Sequence, residues 1–268
     1  MNPDLISLLA ARLDDAARLR EPIAQLSGDT PLTLDDAYHV QSESIALRHD
    51  RGERPVGIKL GFTSRAKMIQ MGVDSLIWGC LTDAMLCEEG GVLDLSAYIH
   101  PRVEPEVCYL TSRDISRPLT LAEAGSYLEA VAPAMEIIDS RYRDFRFTLA
   151  DVVADNCSSA GLVVGPWSRP GDALDNRGVA MEFDGRAVQL GSTAAILGNP
   201  LRALVQASQL LAPAGMVLPA GSLVMAGAAT AAEALRPGCH VRTRIGGLGQ
   251  VEFLTAGPRQ ADYCGGAA

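Results

Sequence analysis

The sequence predicts an α+β protein in which a small helical part precedes a larger, mainly β body. Two segments near the N-terminus, residues 4–19 and 33–49, have helical features, and from Gly161 onward the pattern is mostly β. The chain has 268 residues and is 48% hydrophobic, so it can bury a sizeable core. We expect one large domain with an attachment, placed at residues 1–55 and followed by a body at residues 56–268.

The two N-terminal segments are predicted as helices for different reasons. In the second, Thr33 is a suitable N-cap and Asp36 follows three residues later, which is the spacing of a capping box. The first ends before Pro22, because proline cannot continue an α-helix. Its apolar residues recur at helical spacing, at positions Leu5, Leu8, Leu9, Leu13, Ala16 and Leu19.

Shorter helices are predicted between the strands of the body. Two of them begin at a threonine cap with an acidic residue three positions later, Thr120 with Glu123 and Thr148 with Asp151. The predicted short helices cover residues 65–71, 120–130, 148–155 and 201–211.

The C-terminal half shows strand patterns separated by turn residues. Asp184-Gly185 lies between two short apolar stretches and is a two-residue hairpin signal. Residues 241–245 alternate between apolar or small residues and arginines, as in a half-buried strand. The glycines mark tight turns, because no Gly-x-x-x-x-Gly-Lys-Ser/Thr phosphate loop is present. We expect the tail, residues 256–268, to be mobile.

Three glutamates are the candidate metal ligands. Glu104 and Glu106 lie two residues apart on a predicted strand, so their side chains share one face. Glu136 is a lone acid in an apolar run that reads as a buried strand, where an unpaired carboxylate is costly. A divalent cation such as Mg²⁺ would relieve the repulsion between such carboxylates. The alternative is that the first two lie on a solvated face and that Glu136 pairs with an arginine.

Three other residues are considered as candidates for the site. Lys59 lies in a short apolar strand, where it either meets the acidic cluster or extends to the surface. Asp83 is a possible polar site residue. Cys157 has two serines beside it, but no suitably placed histidine supports a nucleophile. The small-residue turn 155–161 is of a type that can offer backbone N–H groups to an anion.

Charge and composition exclude several classes of partner. The formal net charge is −9 and no Lys/Arg stripe is present, which argues against nucleic acid. The N-terminus does not resemble a secretory signal, and no apolar run is long enough to span a bilayer. The six scattered cysteines indicate reduced thiols in a cytoplasmic protein without membrane contact.

These motifs resemble the 2-keto-4-pentenoate hydratase / 4-oxalocrotonate decarboxylase family, within the fumarylacetoacetate hydrolase superfamily. The resemblance covers nearly the whole chain. Its carriers are Gly57-Ile58-Lys59-Leu60-Gly61-Phe62-Thr63-Ser64, Val103-Glu104-Pro105-Glu106, Pro133-Ala134-Met135-Glu136-Ile137-Ile138-Asp139-Ser140-Arg141-Tyr142, Asp151-Val152-Val153-Ala154-Asp155-Asn156-Cys157-Ser158-Ser159, Gly198-Asn199-Pro200-Leu201 and Leu218-Pro219-Ala220-Gly221-Ser222.

The resemblance implies a mixed β-roll or barrel with a small N-terminal helical part. It also implies roles for particular residues, with residues 56–268 as the catalytic part. By resemblance, Glu104, Glu106 and Glu136 bind Mg²⁺ or Mn²⁺, Lys59 and Asp83 are catalytic, and Leu60 and Ser159 bind the substrate. One departure is Pro105 where the family usually has Ala; because proline lacks the N–H, this position must lie at an edge or a bulge.

Within the family the choice is between a decarboxylase and a hydratase, and residues 138–147 and 151–156 are more like the decarboxylase side. The expected substrate is the 2-oxo acid 2-oxohex-3-enedioate (4-oxalocrotonate) of aromatic meta-cleavage catabolism. Arg141 and Arg146 are candidates for its leaving carboxylate, although surface roles are favoured. The resemblance further implies a homo-oligomer and a possible complex with the partner hydratase. A weakly active partner subunit of that hydratase and a C–C bond hydrolase are further alternatives.

Overall fold

The computed structural model describes residues 1–64, 68–69, 76–171 and 174–257 and confirms the α+β class. The helices are α1 (Pro3–Leu19), α2 (Leu26–Asp29), α3 (Leu34–Asp50), α4 (Leu121–Ala124), α5 (Leu149–Ala154) and α6 (Leu201–Leu211). The strands are β1 (Pro55–Gly61), β2 (Ile77–Thr82), β3 (Leu86–Cys87), β4 (Val92–Asp94), β5 (Arg102–Thr111), β6 (Leu128–Ile138), β7 (Ser159–Val164), β8 (Gly178–Phe183), β9 (Arg186–Ser192), β10 (Leu223–Ala228), β11 (Glu233–Ala234), β12 (His240–Ile245) and β13 (Gly249–Ala256).

Capping residues fix most of the helix ends that the sequence predicts. The capping box of Thr33 and Asp36 is present at the start of α3, and the box of Thr148 and Asp151 starts α5. Helix α1 ends at Leu19, before Pro22, as predicted. Helix α6 covers the predicted residues 201–211.

The predicted helix over residues 120–130 is wrong beyond its first turn. The Thr120–Glu123 capping box is present, but α4 ends at Ala124. A 3₁₀ turn then leads into β6, which begins at Leu128 and pairs with β5 over ten register positions. Pairing in the sheet therefore overrides the local helix signal. The predicted helix 65–71 and the predicted mobile tail lie largely outside the described residues.

Two mixed sheets form the body. The larger sheet has the order β2-β1-β10-β5-β6-β7-β3, and β11 pairs with the first residues of β5. The smaller sheet has the order β4-β13-β12-β8-β9. The predicted hairpin joins β8 to β9 through Asp184 and Gly185, whose φ values of 52° and 75° suit a type I′ turn. Buried side chains of both sheets share one core, with Met135, Ile137, Val163, Met181, Val241, Val251 and Phe253 among its members.

The N-terminal helices pack onto the body through a common core that includes residues of α1, α3 and α5. Gln41 of α3 is buried, and its side-chain amide donates hydrogen bonds to the carbonyl of Val153 (2.9 Å) and that of Trp78 (3.1 Å). Asp151 of α5 accepts hydrogen bonds from the backbone and hydroxyl of Ser27. The helices thus support the α5 side of the body, while the division at residue 55 stays a prediction.

Two further observations concern the helices and the cysteines. In the described part of the chain, no helix is both long and apolar enough to cross a membrane. The five described cysteines, Cys80, Cys87, Cys108, Cys157 and Cys239, form no disulfide.

Candidate metal centre and active site

The register of the central hairpin brings the three predicted glutamates together. Strand β5 pairs with β6 so that Glu104 lies opposite Glu136 and Glu106 lies opposite Ala134. Because side chains alternate along a strand, Glu104 and Glu106 share the face that Glu136 also occupies. One carboxylate oxygen from each residue lies within 4.8 Å of the other two.

This cluster is buried, and its oxygen atoms suit a hard cation. Oε1 of Glu106 accepts no hydrogen bond from any described residue, and neither oxygen of Glu136 has one of good geometry. Burial raises the pKa of Glu106 well above its usual value, and repulsion from Glu136 adds to the rise. Burial also raises the pKa of Glu136. Three convergent carboxylates, two of which have oxygens without a well-oriented hydrogen bond, are a donor set that fits Mg²⁺ or Mn²⁺.

A bulge in β10 positions Glu106. Pairing of β10 with β5 is irregular between Met225 and Ala228, and Gly227 within this step has φ 102°. The backbone N–H of Gly227 donates a 2.8 Å hydrogen bond to Oε2 of Glu106. The bulge therefore fixes one oxygen of Glu106 and leaves the other for a ligand.

The same irregularity accommodates Pro105. Its carbonyl accepts a hydrogen bond from Ala229, just beyond the end of β10, and β11 begins only at Glu233. The backbone N and C=O of one residue point to the same side of an antiparallel strand. The nitrogen that lacks a proton therefore faces the gap between β10 and β11, where no ladder bond is lost.

We expect Gly227→Ala to weaken divalent-metal binding about ten- to a hundred-fold and to destabilise the fold. An alanine Cβ would lie 2.0 Å from Oγ1 of Thr63, and φ 102° is rarely adopted by L residues. The backbone must shift, and the hydrogen bond to Glu106 moves with it. Calorimetric Mg²⁺ titration measures the effect, and Gly28→Ala, with no atom within 4 Å of its Cβ, is the control. Unchanged affinity in Gly227→Ala would contradict the role of the bulge.

Lys59 completes the charged cluster. It lies on β1, is buried, and places Nζ 3.1 Å from Oε2 of Glu136 and 3.1 Å from the carbonyl oxygen of Cys157, to which it donates a hydrogen bond. Burial alone would lower the pKa of Lys59, but the nearby carboxylates, Glu136 foremost, raise it above its usual value. Lys59 is therefore a buried ammonium ion, and the surface alternative is wrong.

The carbonyl that binds Lys59 belongs to an unusual left-handed turn. Asn156, Cys157 and Ser158 have φ values of 46°, 54° and 58°, a conformation that costs non-glycine residues about 1–2 kcal/mol each. The side-chain amide of Asn156 pairs with the backbone of Cys80, accepting at 2.7 Å and donating at 2.9 Å. These bonds attach the turn to the edge of β2 and hold its residues in the left-handed conformation, which non-glycine residues disfavour.

Asn156→Ala should therefore destabilise the protein by about 2–4 kcal/mol, since both backbone groups of Cys80 lose a buried partner. Urea unfolding followed by circular dichroism measures the change. The exposed Asn176→Ala is the control and should change stability by less than about 0.5 kcal/mol. Equal stability of the two variants would show that the amide of Asn156 does not hold the turn.

A cavity of about 330 Å³ opens on this cluster. Its charged lining residues are Lys59, Arg102 and Glu104, and the hydroxyl-bearing Ser158 also lines it. The other described lining residues are Gly61, Phe62, Ile77, Ile138, Phe145, Phe147, Val152, Cys157, Ala231 and Ala232. Larger cavities of about 390, 410 and 550 Å³ lie elsewhere, and the described lining of each contains neither Lys59 nor any of the three clustered glutamates.

The two predicted substrate contacts, Ser159 and Leu60, both lie near the cluster, but only the side chain of Ser159 faces it. Ser159 begins β7, and its hydroxyl lies beside Glu136, whose ionised form it favours. The side chain of Leu60 points away from Lys59 into the core of Val107 and Tyr109. Leu60 could therefore face a substrate only through its backbone.

The structure does not bring Asp83 or the suggested arginines to the cavity. The carboxylate of Asp83 accepts hydrogen bonds from the backbone (2.9 Å) and side chain (3.1 Å) of Arg54 at the surface, and these bonds lower its pKa. Arg141 is buried, where it binds Asp155 and the carbonyl of Asp139. Arg146 is exposed and does not line the cavity. Asp83, predicted as catalytic, thus lies outside the described lining of the cavity, because the chain turns away after β2.

Sequence reasoning missed Arg102, Phe145 and Ser158 as lining residues. A signal existed for Arg102, which is two residues before Glu104 on the same strand and therefore on the same face. Ser158 is buried with a hydroxyl that has no hydrogen-bond partner among the described residues. Its orientation depends on the left-handed conformation of the turn, which the small residues at 155–161 do not by themselves predict.

Comparison with known proteins identifies the family of this chain. Residues 83–254 match the model of the fumarylacetoacetate (FAA) hydrolase C-terminal family. A 4-oxalocrotonate decarboxylase from Pseudomonas sp is 57% identical over 254 residues, which are 95% of this chain and 99% of that protein. A 2-keto-4-pentenoate hydratase from Paraburkholderia xenovorans (strain LB400) is 35% identical and covers 94% of this chain and 95% of its own length.

A solved structure gives the same result at the level of the fold. The 4-oxalocrotonate decarboxylase from Pseudomonas putida G7, complexed with magnesium and adipate, has a TM-score of 0.92 and 37% identity. The match covers 95% of this chain and 98% of that one. The chain therefore belongs to the fumarylacetoacetate hydrolase family, and the predicted fold of that type is confirmed.

Proposed function

We propose that this protein is a Mg²⁺-dependent carbon–carbon lyase that decarboxylates 2-oxohex-3-enedioate (4-oxalocrotonate) to 2-hydroxypenta-2,4-dienoate. The observation that carries the proposal is the buried cluster of three glutamates and Lys59, which opens on a cavity with apolar walls. The 57% identity to a 4-oxalocrotonate decarboxylase supports it. The pathway would be aromatic meta-cleavage catabolism, as the family resemblance implies.

The metal ligands in this proposal are Glu104, Glu106 and Glu136, with Mg²⁺ or Mn²⁺ as the ion. When bound, the ion supplies Lewis acidity toward the C2 keto group of a 2-oxo acid. The glutamates place this chemistry at the end of the cavity that Lys59 also lines. The C1 carboxylate and C2 oxygen of the substrate would therefore lie at this end.

Lys59 would stabilise the charge that develops during the reaction. Loss of CO₂ breaks the C5–C6 bond, and its electron pair moves through the C3–C4 alkene to the C2 oxygen. Protonation of that oxygen gives 2-hydroxypenta-2,4-dienoate. Lys59 is a preorganised cation beside the site of this charge, held by Glu136 and the carbonyl of Cys157. Ser159 and the backbone of Leu60 are proposed as substrate contacts.

The apolar part of the cavity lining supports decarboxylation, because addition of water is assisted by a general base and loss of CO₂ needs none. Glu104 is the carboxylate in this lining, and the proposal uses it as a metal ligand. Among the described residues, the wall beyond the charged cluster includes Phe62, Ile77, Phe147 and Val152. Burial raises the pKa of Cys157 to about 12, so this thiol stays protonated at neutral pH and cannot serve as that base.

The test is to incubate the Mg²⁺-loaded protein with 2-oxohex-3-enedioate and follow the products by ¹³C NMR, with EDTA as the control. We expect stoichiometric CO₂ and 2-hydroxypenta-2,4-dienoate, and no products when EDTA is present. Conversion of 2-hydroxypenta-2,4-dienoate to 4-hydroxy-2-oxopentanoate without CO₂ release would replace the proposal with a hydratase. Inactivity on both substrates would favour a weakly active partner subunit.

The state of assembly is a separate part of the proposal. We propose a homo-oligomer that can associate with a hydratase of the same family, since such a complex would pass on an unstable dienol directly. Light scattering after size-exclusion chromatography tests the first point. Co-elution with a purified family hydratase tests the second.

A further inference from the structure

Arg102 is a cation in the cavity that the proposed chemistry leaves unused. It begins β5 and lines the cavity together with Lys59 and Glu104. Its guanidinium carbon lies 4.5 Å from the centroid of the Phe145 ring, a cation–π contact. Arg102 forms no ion pair with a carboxylate in the described part of the chain. Arg102 is exposed at the mouth of the cavity, where the aromatic contact orients the guanidinium and leaves its hydrogen-bond donors available.

The Phe145 ring that holds Arg102 is itself positioned. Phe145 has φ 58°, a left-handed conformation that bulky residues seldom adopt. Its ring packs against His100, with centroids 4.9 Å apart, and against Phe147 at 6.1 Å. Such strain is kept where surrounding contacts enforce it, and here it places an aromatic face beneath the guanidinium.

The strand sets the distance between Arg102 and the metal ligands. Arg102 and Glu104 are two residues apart on β5 and share one face, so their Cα atoms are separated by one strand repeat of about 6.6–6.8 Å. A six-carbon diacid that binds the metal through C1 and C2 extends its C6 carboxylate away from the glutamates within the same cavity. The guanidinium is thus on the correct face to meet that carboxylate.

A dicarboxylate substrate favours a further cation beside the charged cluster. Three glutamates and a divalent ion leave one negative charge, which Lys59 offsets. A dicarboxylate then brings two further negative charges into a cavity of mainly apolar lining. Arginine is suited to this task because its planar fork binds a carboxylate through two parallel hydrogen bonds.

We propose that Arg102 recognises the second carboxylate of the substrate and makes the site specific for dicarboxylic 2-oxo acids. This inference rests on the proposed function, because it assumes that the 2-oxo end lies at the glutamates. Because the C6 carboxylate loses its charge as CO₂ leaves, an ion pair with it stabilises bound substrate more than the transition state. Removing it should raise KM and should not lower kcat.

The experiment compares two unreactive ligands by calorimetry with the Mg²⁺-loaded protein. 2-Oxohexanedioate has both carboxylates, and 2-oxohexanoate has a methyl group in place of the second. We expect the wild-type protein to prefer the diacid by about ten- to a hundred-fold. Arg102→Gln should bind both ligands equally, and Arg102→Lys should keep an intermediate preference because lysine retains the charge without the fork.

Arg113→Gln is the matched control, because Arg113 also lies over an aromatic ring, 5.2 Å from the centroid of Tyr127, but does not line the cavity. It should keep the wild-type preference. Mg²⁺ affinity and thermal midpoint, measured for every variant, show whether the neighbouring Glu104 is still in place.

The possible outcomes separate the role of Arg102 from the proposed decarboxylase function. A ten-fold or greater diacid preference that survives in Arg102→Gln overturns the role of Arg102. A wild-type protein that binds both ligands equally also overturns it, whereas CO₂ release from 2-oxohex-3-enedioate would still support the decarboxylase. Binding of neither ligand, together with no CO₂ release, would overturn the proposed function itself.

Discussion

Glu106→Gln should reduce Mg²⁺-dependent turnover about a thousand-fold or more, while the metal-free protein stays folded. Glu106 is buried, receives the Gly227 N–H on one oxygen, and has no hydrogen bond from a described residue on the other. Its loss removes one of three charges from the cluster, and glutamine is a poor ligand for Mg²⁺. Steady-state CO₂ release at saturating Mg²⁺ measures the effect.

The stability of the same variant provides a second readout. Without a metal ion, Glu106 is a buried carboxylate that Glu136 repels, and its pKa is raised accordingly. Replacing it should therefore leave the thermal midpoint of the metal-free protein unchanged or higher. Glu129→Gln is the control, because Glu129 is an exposed glutamate on the same strand as Glu136. Full activity of Glu106→Gln, or loss of activity in Glu129→Gln, would contradict the metal assignment.

Lys59→Met should lower kcat about a hundred- to a thousand-fold, because it removes the preorganised cation at the site of developing charge. It should not weaken metal binding, since the ammonium and a divalent ion compete for the same carboxylate of Glu136. The metal-free variant should lose about 3–5 kcal/mol of stability, as the buried Glu136 is left without its partner.

Three measurements separate these effects: kcat, the Mg²⁺ dissociation constant and urea unfolding with EDTA present. Lys59→Arg serves as the conservative variant and should recover stability better than activity, because the guanidinium keeps the charge but not the position of Nζ. A Lys59→Met variant that keeps kcat but loses stability would reduce Lys59 to a structural role.

The metal cluster could be predicted from the sequence because it depends on local rules. The alternation of a strand places Glu104 and Glu106 on one face, and a lone acid in the apolar run at Glu136 indicates a buried partner strand. The capping boxes at Thr33 and Thr148 are equally local, and both are present. What the sequence could not give was the register that sets Glu104 opposite Glu136.

Features that depend on distant contacts escaped sequence reasoning. The left-handed turn at residues 156–158 exists because β2 binds the amide of Asn156, and the cation–π contact of Arg102 exists because the Phe145 loop folds over β5. Asp83 directly follows an apolar strand, a position that suits a site residue, but its side chain points outward to Arg54. In each case tertiary packing decides where the side chain lies, and no spacing rule records it.

The most direct test of the central claim is a Mn²⁺ titration of the wild-type and Glu106→Gln proteins, followed by electron paramagnetic resonance. We expect one tight Mn²⁺ site per chain in the wild-type protein, held by Glu104, Glu106 and Glu136, from which Mg²⁺ displaces Mn²⁺. Affinity should fall at least ten-fold in Glu106→Gln and stay unchanged in Glu129→Gln. Tight Mn²⁺ binding that survives in Glu106→Gln, or no tight site in the wild-type protein, would contradict the three-glutamate metal centre.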